Sequence, residues 1–530
     1  MEDLNIGMCF SGGGYRAATF DLGTLSFLNW LRLEDGRTLL DCVSGLTSVS
    51  GGTIPALKYM QARAQGQSVD EMVDEVFDFL CNEDLVARAM QGMSAEKANR
   101  NMSSIKIMAG IYDECLFHGA VMGDIFDHFD RIPVKDYTAL ATDFDNSLAF
   151  RFRMTEGQTT KGERLSYGVF GNGKNNIGLS VARHITLGEA MACSSCFPSG
   201  FEPMMYPDDF KVSQMPDIAC DINKRFGLMD GGITDNQGIE PIIKAEERRH
   251  KYRADQRRTD KAFDLVIVSD VSSPDMEGYT PSEQMLPEGV GKLTLGRLRN
   301  YGLISEAVVM ALFILALVLG SGFWTGVMTV ILAIVTLANA VGALLKSKMF
   351  RAIGKTFIGN NATFISHLKF ATLESMLMNR AKSLVMMSSE VFLKHLRQMN
   401  YDSLYHNPAW VNRVIMSAIY ELSKKGNWSD DLQPSAVMRE NSIRAAGMGT
   451  TLWFTPEQKA AGMPQAILAA GQYTMCHNLL LYLDKIDSQP TNLTPGHDLI
   501  KALRPQLMEA WHKFQLDPQW MVPKKKRYIN

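Results

Sequence analysis

The stretch CVSGLTSVSGG, Cys42 to Gly52, runs from a short apolar segment into a Ser-Gly-Gly turn. Residues 42–49 read as a buried strand, and residues 53–62 as a helix in which Pro55 takes an early position where no N–H is missed. The same pattern occurs just upstream. Residues 4–10 (LNIGMCF) form an apolar run, Ser11-Gly12-Gly13-Gly14 breaks it, and Ala18, Leu22, Leu25 and Leu28 follow at helical spacing. Two strand–turn–helix units so close together predict a parallel α/β sheet with helices on its faces.

Working outward, residues 137–143, 147–154 and 264–270 (DLVIVSD) read as further strands. Residues 68–130 read as helices and loops, with Met72, Val73, Val76, Phe77 and Leu80 on one face. Residues 185–193 read as a helix that stops before Phe197-Pro198, and 244–261 as a charged, solvated helix. Beyond 355 the chain turns helical again, with an apolar face over 368–384 and further helices over about 435–516. Of 530 residues 46% are hydrophobic and 21% charged, which excludes global disorder and collagen-like repeats. With 54 basic against 57 acidic residues and a net charge of -3, no nucleic-acid partner is expected. The 8 Cys are scattered and describe no disulfide module, and Met1-Glu2-Asp3-Leu4 lacks the basic start of a cleavable signal peptide.

One local anomaly stands out. Residues 307–345 contain no Asp, Glu, Lys, Arg or His, and Gly320-Ser321-Gly322 interrupts them. Lys292, Arg297 and Arg299 precede the stretch, and Lys346, Lys348, Arg351 and Lys355 follow it. Basic residues on both sides put both flanks on the cytoplasmic face, which a two-span hairpin satisfies. The first arm, 307–319, would rise only about 20 Å against a core of about 30 Å, so a re-entrant hairpin is the variant reading. A hairpin buried in a soluble core or an oligomer interface is the alternative to a membrane. The basic tail Lys524-Lys525-Lys526-Arg527 could meet anionic lipid, although a solvated terminus is the ordinary reading.

Three sites could carry chemistry. Ser50 sits at a strand-to-helix elbow with small residues two before and two after it, Ser48 and Gly52. Gly12, Gly13 and Gly14 could aim backbone N–H groups at a phosphate or an oxyanion, although the run lacks the lysine of a nucleotide loop. Asp230-Gly231-Gly232 could bring a carboxylate close to another backbone. Taken singly, each is also an ordinary tight turn. A triad would need a later histidine, and His250, His367, His395, His406, His477, His497 and His512 offer no distinctive context. Cys193-x-x-Cys196 has no second pair with zinc spacing, so no metal is expected.

Together, in this order, the three sites resemble the patatin-like phospholipase family over roughly residues 4–275. The resemblance implies a three-layer α/β fold with a central mostly parallel sheet. It implies Ser50 as nucleophile, Asp230 as its base, and Gly12, Gly13, Gly14 and Gly51 as the oxyanion hole. Arg16, Ser48, Gly52, Gly231 and Gly232 fall in supporting positions, and Ser194-Ser195-Cys196-Phe197-Pro198 resembles the family's small-residue helix end. Ser11 and Ala17 depart from the family's usual Asp and Gly. No cofactor or metal is implied. The expectation is a membrane-associated serine lipid acyl hydrolase, phospholipase A-like, acting through an acyl-enzyme. A non-hydrolytic membrane scaffold and a lipid acyltransferase are the alternatives. The expected layout is a catalytic domain over 1–285, a transmembrane hairpin within 300–350 and a helical C-terminal region over 351–530. Membrane phospholipid is the expected substrate, and the bilayer is met through 307–345. The expected location is a bacterial inner membrane with the catalytic domain facing the cytoplasm. A homo-oligomer through the hairpin would also cover its apolar surface.

Overall fold

The computed structural model describes residues 4–95, 103–158, 164–198, 200–218, 223–254, 261–272, 278–283, 285, 288–320, 322–337, 339, 368–387, 391–491 and 493–523. They form two compact units: Met1–Met276 together with Ser389–Asn530, and Glu277–Ser388. The strands, all in the first unit, are β1 (Ile6–Phe10), β2 (Val43–Val49), β3 (Asp136–Asp143), β4 (Leu148–Gln158), β5 (Arg164–Gly171), β6 (Asn176–Ile177), β7 (Met204–Tyr206), β8 (Phe226–Asp230), β9 (Leu265–Asp270) and β10 (Val414–Ala418). The helices that frame the site are α1 (Gly14–Trp30), α2 (Thr53–Gln65), α3 (Leu187–Ser195), α4 (Ile239–Ala254) and α5 (Met463–Ser488).

The sheet runs β10-β9-β1-β2-β3-β4-β5-β6, with β8 on β3 and β7 on β8. Strands β10 to β3 in this order are parallel, and the pairs beyond β3 are antiparallel. The central strands are buried throughout because both faces are covered, and successive residues point to opposite sides. Met8, Phe10, Leu265 and Ile267 enter one cluster with Phe20 and Leu22 of α1 and Leu468 of α5. Cys9, Val266 and Val268 enter the other, with Ile239 and Ile242 of α4 and Leu404. These two clusters define the expected three layers. Helix α5 lies very close to α1: a Cβ at Gly23 would overlap the Leu468 carbonyl, and one at Gly471 would overlap the Phe20 carbonyl.

The C-terminal region is mostly helical, as expected, but it is not a region apart. Val414–Ala418 pairs with β9 in parallel, Val414 opposite Val266 and Ala418 opposite Asp270. A boundary at 285 therefore separates strands that share hydrogen bonds. The chain after 389 covers an edge of β9 that would otherwise stay unpaired.

The second unit contains a helical hairpin. Helix Leu295–Val318 leads through a turn at Leu319 and Gly320 into helix Gly322–Leu337. The first arm is longer than the uncharged stretch implied, because it continues backward through Glu306 and Tyr301. At 24 residues it spans about 36 Å. Glu306 is accommodated by the opposite arm. Thr336 Oγ1 donates to its Oε1 at 3.1 Å, and Asn339 Nδ2 to its Oε2 at 3.1 Å and to the Gly302 carbonyl at 3.2 Å. Asn300–Val318 is long and apolar enough to cross a membrane, and only 6% of it is buried. Among the described residues this arm is therefore not a buried core helix. The rest of the second arm and its basic flank (340–355), His367, and the tail 524–527 lie outside the described residues.

Candidate active site

Strand β2 ends on β3 at Val49, opposite Leu140. Strand β8 arrives on the same edge of β3 from the other direction and ends at Asp230, opposite Ala141. The carboxyl ends of β2 and β8 thus meet head to head, which brings together residues far apart in sequence. Ser50, the first residue past β2, has φ 49 and is buried. A left-handed serine costs about 1–3 kcal/mol and persists only where the surroundings enforce it. Its Oγ donates to Asp230 Oδ2 at 2.7 Å. Among the described residues no histidine hydrogen-bonds either group. His477 packs between Trp428 and Trp511, and His497 is bonded to Thr494 and Asn412.

Burial raises the Asp230 carboxyl from 3.8 to about 6, against opposing hydrogen bonds from the Gly232 N–H and Ser50. The Gly232 N–H donates to Asp230 Oδ1 at 2.7 Å, leaving Oδ2 for the serine. Thr142 Oγ1 holds the Asp230 carbonyl at 2.8 Å. The end of α3 braces both residues. Ser194 Oγ accepts from the Ser50 N–H at 2.9 Å and shares a 3.0 Å hydrogen bond with Thr53 Oγ1. The Gly231 N–H reaches the Ser194 carbonyl at 3.2 Å, and the Asp230 N–H the Cys196 carbonyl at 2.9 Å. Helix α3 is itself fixed by a capping box of Thr186 and Glu189. In the sequence this brace shows only as the small-residue helix end Ser194-Ser195-Cys196-Phe197-Pro198. Ser48 Oγ lies 3.2 Å from Tyr137 OH, and Gly52 faces the Ser11 carbonyl and Asp21 where a side chain would intrude.

The glycine loop between β1 and α1 lies beside this pair because β1 and β2 are parallel neighbours, Phe10 opposite Ser48. A Cβ at Gly51 would overlap the Gly14 carbonyl and stand 2.7 Å from the Gly14 nitrogen, so the two turns touch backbone to backbone. Among the described residues the N–H groups of Gly13, Gly14 and Gly51 have no backbone acceptor. Gly12 differs from the expected oxyanion set, because its N–H donates to the Asn236 carbonyl at 2.9 Å. Asn236 was not foreseen, and its side-chain oxygen lies between Gly12 and Gly232. Arg16 donates to the carbonyls of Ala446, at 3.3 Å, and Met448. The thiols of Cys193 and Cys196 are buried, and burial pushes both pKa values up.

The family model described as Patatin-like phospholipase matches residues 8–243. The chain carries a patatin-like phospholipase domain over these residues. Among solved structures, human GIVD cytosolic phospholipase A2 is 14% identical, with a TM-score of 0.33 over 51% of this chain and 43% of that one. The same human enzyme in complex with methyl gamma-linolenyl fluorophosphonate and terbium chloride is 16% identical, with a TM-score of 0.22 over 28% of this chain and 23% of that one. The chain thus spans less than half the length of these structures. No curated protein matches it.

Proposed function

We propose that the protein is a serine lipid acyl hydrolase of phospholipase A type, with Ser50 as nucleophile and Asp230 as its base. The 2.7 Å hydrogen bond from Ser50 Oγ to Asp230 Oδ2, made by a left-handed elbow serine inside a patatin-like domain, carries this reading. Asp230 Oδ2 takes the serine proton as Oγ bonds to an ester carbonyl carbon. The oxyanion that develops is held by the N–H groups of Gly13, Gly14 and Gly51, each such donor contributing about 10²–10³ in rate. Collapse breaks the ester bond, and the proton on Asp230 passes to the leaving alcohol. Water then repeats the sequence on the acyl-enzyme and releases a fatty acid. A base raised to about 6 by burial is better matched to neutral conditions than an exposed aspartate.

The apolar hairpin supports action at a membrane, where a lipase finds its substrate concentrated. Its exposed faces fit hydrocarbon, and Glu306 has hydrogen-bond donors on the opposite arm in Thr336 and Asn339. The basic flanks support a cytoplasmic face, as at a bacterial inner membrane. The test is fatty-acid release from mixed phospholipid vesicles by wild type, Ser50→Ala and Asp230→Asn. Release that both substitutions abolish in folded protein is the expected result. Release that survives Ser50→Ala would remove Ser50 from the mechanism.

A further inference from the structure

The donor loop is held from outside the family domain. The Tyr15 N–H, at the start of α1, donates to the Thr451 carbonyl at 2.8 Å. The same carbonyl lies directly over the α-carbon of Gly14, with the Thr451 nitrogen 3.3 Å from where a Cβ would stand. Arg16 donates through Nη1 to the carbonyls of Ala446 and Met448. The Tyr15 ring packs against Phe454 at 5.8 Å between centroids. Three consecutive residues, Gly14 to Arg16, are therefore gripped by one segment, 446–454. Gly14 in turn touches Gly51, beside the serine.

We propose that segment 446–454 positions the oxyanion loop, and that Arg16 is a positioning residue of this clamp rather than a contact for the lipid head group. The proposal rests on the serine hydrolase reading above. Arg16 bridges two carbonyls with one guanidinium end, fixing the segment whose Thr451 carbonyl sets the first turn of α1. When the clamp loosens, Gly13 and Gly14 lose their aim at the developing oxyanion. Misplacement on the scale of an ångström lowers turnover by about 10²-fold without weakening ground-state binding.

The experiment compares full-length wild type, Arg16→Ala, Arg16→Lys and Ser50→Ala in detergent on two substrates: p-nitrophenyl butyrate, which carries no phosphate, and phosphatidylglycerol in mixed micelles. The clamp predicts that Arg16→Ala lowers kcat by about 10²-fold on both, by the same factor and with KM unchanged. Fluorophosphonate labelling of Ser50 slows in parallel. Hydrogen exchange at the Tyr15 amide, slow in wild type, becomes fast. Arg16→Lys, which keeps the charge and one donor end, recovers part of the loss, and it carries the test if Arg16→Ala does not fold. Loss confined to the phospholipid, expressed in KM, would overturn the proposal and make Arg16 a head-group contact. Wild-type kcat with unchanged Tyr15 exchange would overturn it too. The control separates the two readings: activity retained by Ser50→Ala removes the serine mechanism, whereas Tyr15 exchange still reports on the clamp.

Discussion

Asp230→Asn should abolish hydrolysis and, above about pH 6, make the protein more stable. Burial holds the carboxyl at about 6 in the folded protein, against 3.8 for the free group. Between those values the folded chain keeps a proton that the unfolded chain has released. Raising the pH through this window therefore lowers stability, and above about 6 the whole loss is present. The rise from 3.8 to about 6 corresponds to about 3 kcal/mol. Asparagine carries no such burden. Its Oδ1 can still accept from the Gly232 N–H, and its Nδ2 can donate to Ser50 Oγ, which satisfies the site while reversing the role of the serine. The gap in unfolding free energy, variant minus wild type, should thus widen by about 3 kcal/mol between about pH 4 and pH 7.5. Urea unfolding in detergent micelles, followed by tryptophan fluorescence at both pH values, measures it. A gap that does not change with pH, or a variant less stable than wild type at the higher pH, would refute a buried, desolvated base.

The same shift predicts that kcat/KM for p-nitrophenyl butyrate rises through about pH 6, and a pH profile flat across that value would contradict it. Ser50→Gly should lose fluorophosphonate labelling yet gain about 1–2 kcal/mol over Ser50→Ala in a thermal melt, because glycine relieves the left-handed backbone at φ 49. Gly471→Ala should destabilise by about 1–3 kcal/mol or more, since its methyl group meets the Phe20 carbonyl, while Gly110→Ala, with open space around it, should show no such clash. Removing 295–339 should move the protein from the membrane pellet to the supernatant after carbonate extraction while p-nitrophenyl butyrate hydrolysis persists. A protein that stays in the pellet would shift membrane attachment to another segment.

The elements nearest the site were the most legible. Buried parallel strands leave continuous apolar runs, and the turns that follow β1 and β2 need glycine and small residues, so local sequence exposes both. Strand β8 was read only as the loop around Asp230, because five residues ending in a turn carry little periodicity, and its register against β3 is a long-range fact. Strand β10 was missed for a related reason. Val414–Ala418 (VIMSA) is short and lies among helices, and it becomes a strand because β9 offers an open edge. Ser50 and Asp230 are marked in the sequence by the joint order of the motifs, whereas the brace at Ser194 and the tie from Asn236 to Gly12 leave no separate local signal. The carbonyls of Ala446, Met448 and Thr451 were invisible in principle. A backbone acceptor is present at every residue, and only the fold selects which three are used.

Because the unit Glu277–Ser388 is inserted in the sequence between the two portions of the unit that holds Ser50 and Asp230, the order of synthesis matters. A ribosome finishes β9 and then the whole hairpin before it reaches β10, Thr451 or α5. Nascent chains fold from the N-terminus as they emerge. Until residue 418 appears, β9 has one unpaired edge, and until Thr451 appears the donor loop lacks its acceptor. The proposed lipid-cleaving centre is therefore completed only after the hydrophobic hairpin has been made. Truncation within or soon after the hairpin yields a chain with Ser50 and Asp230 but without the finished sheet that holds them in register.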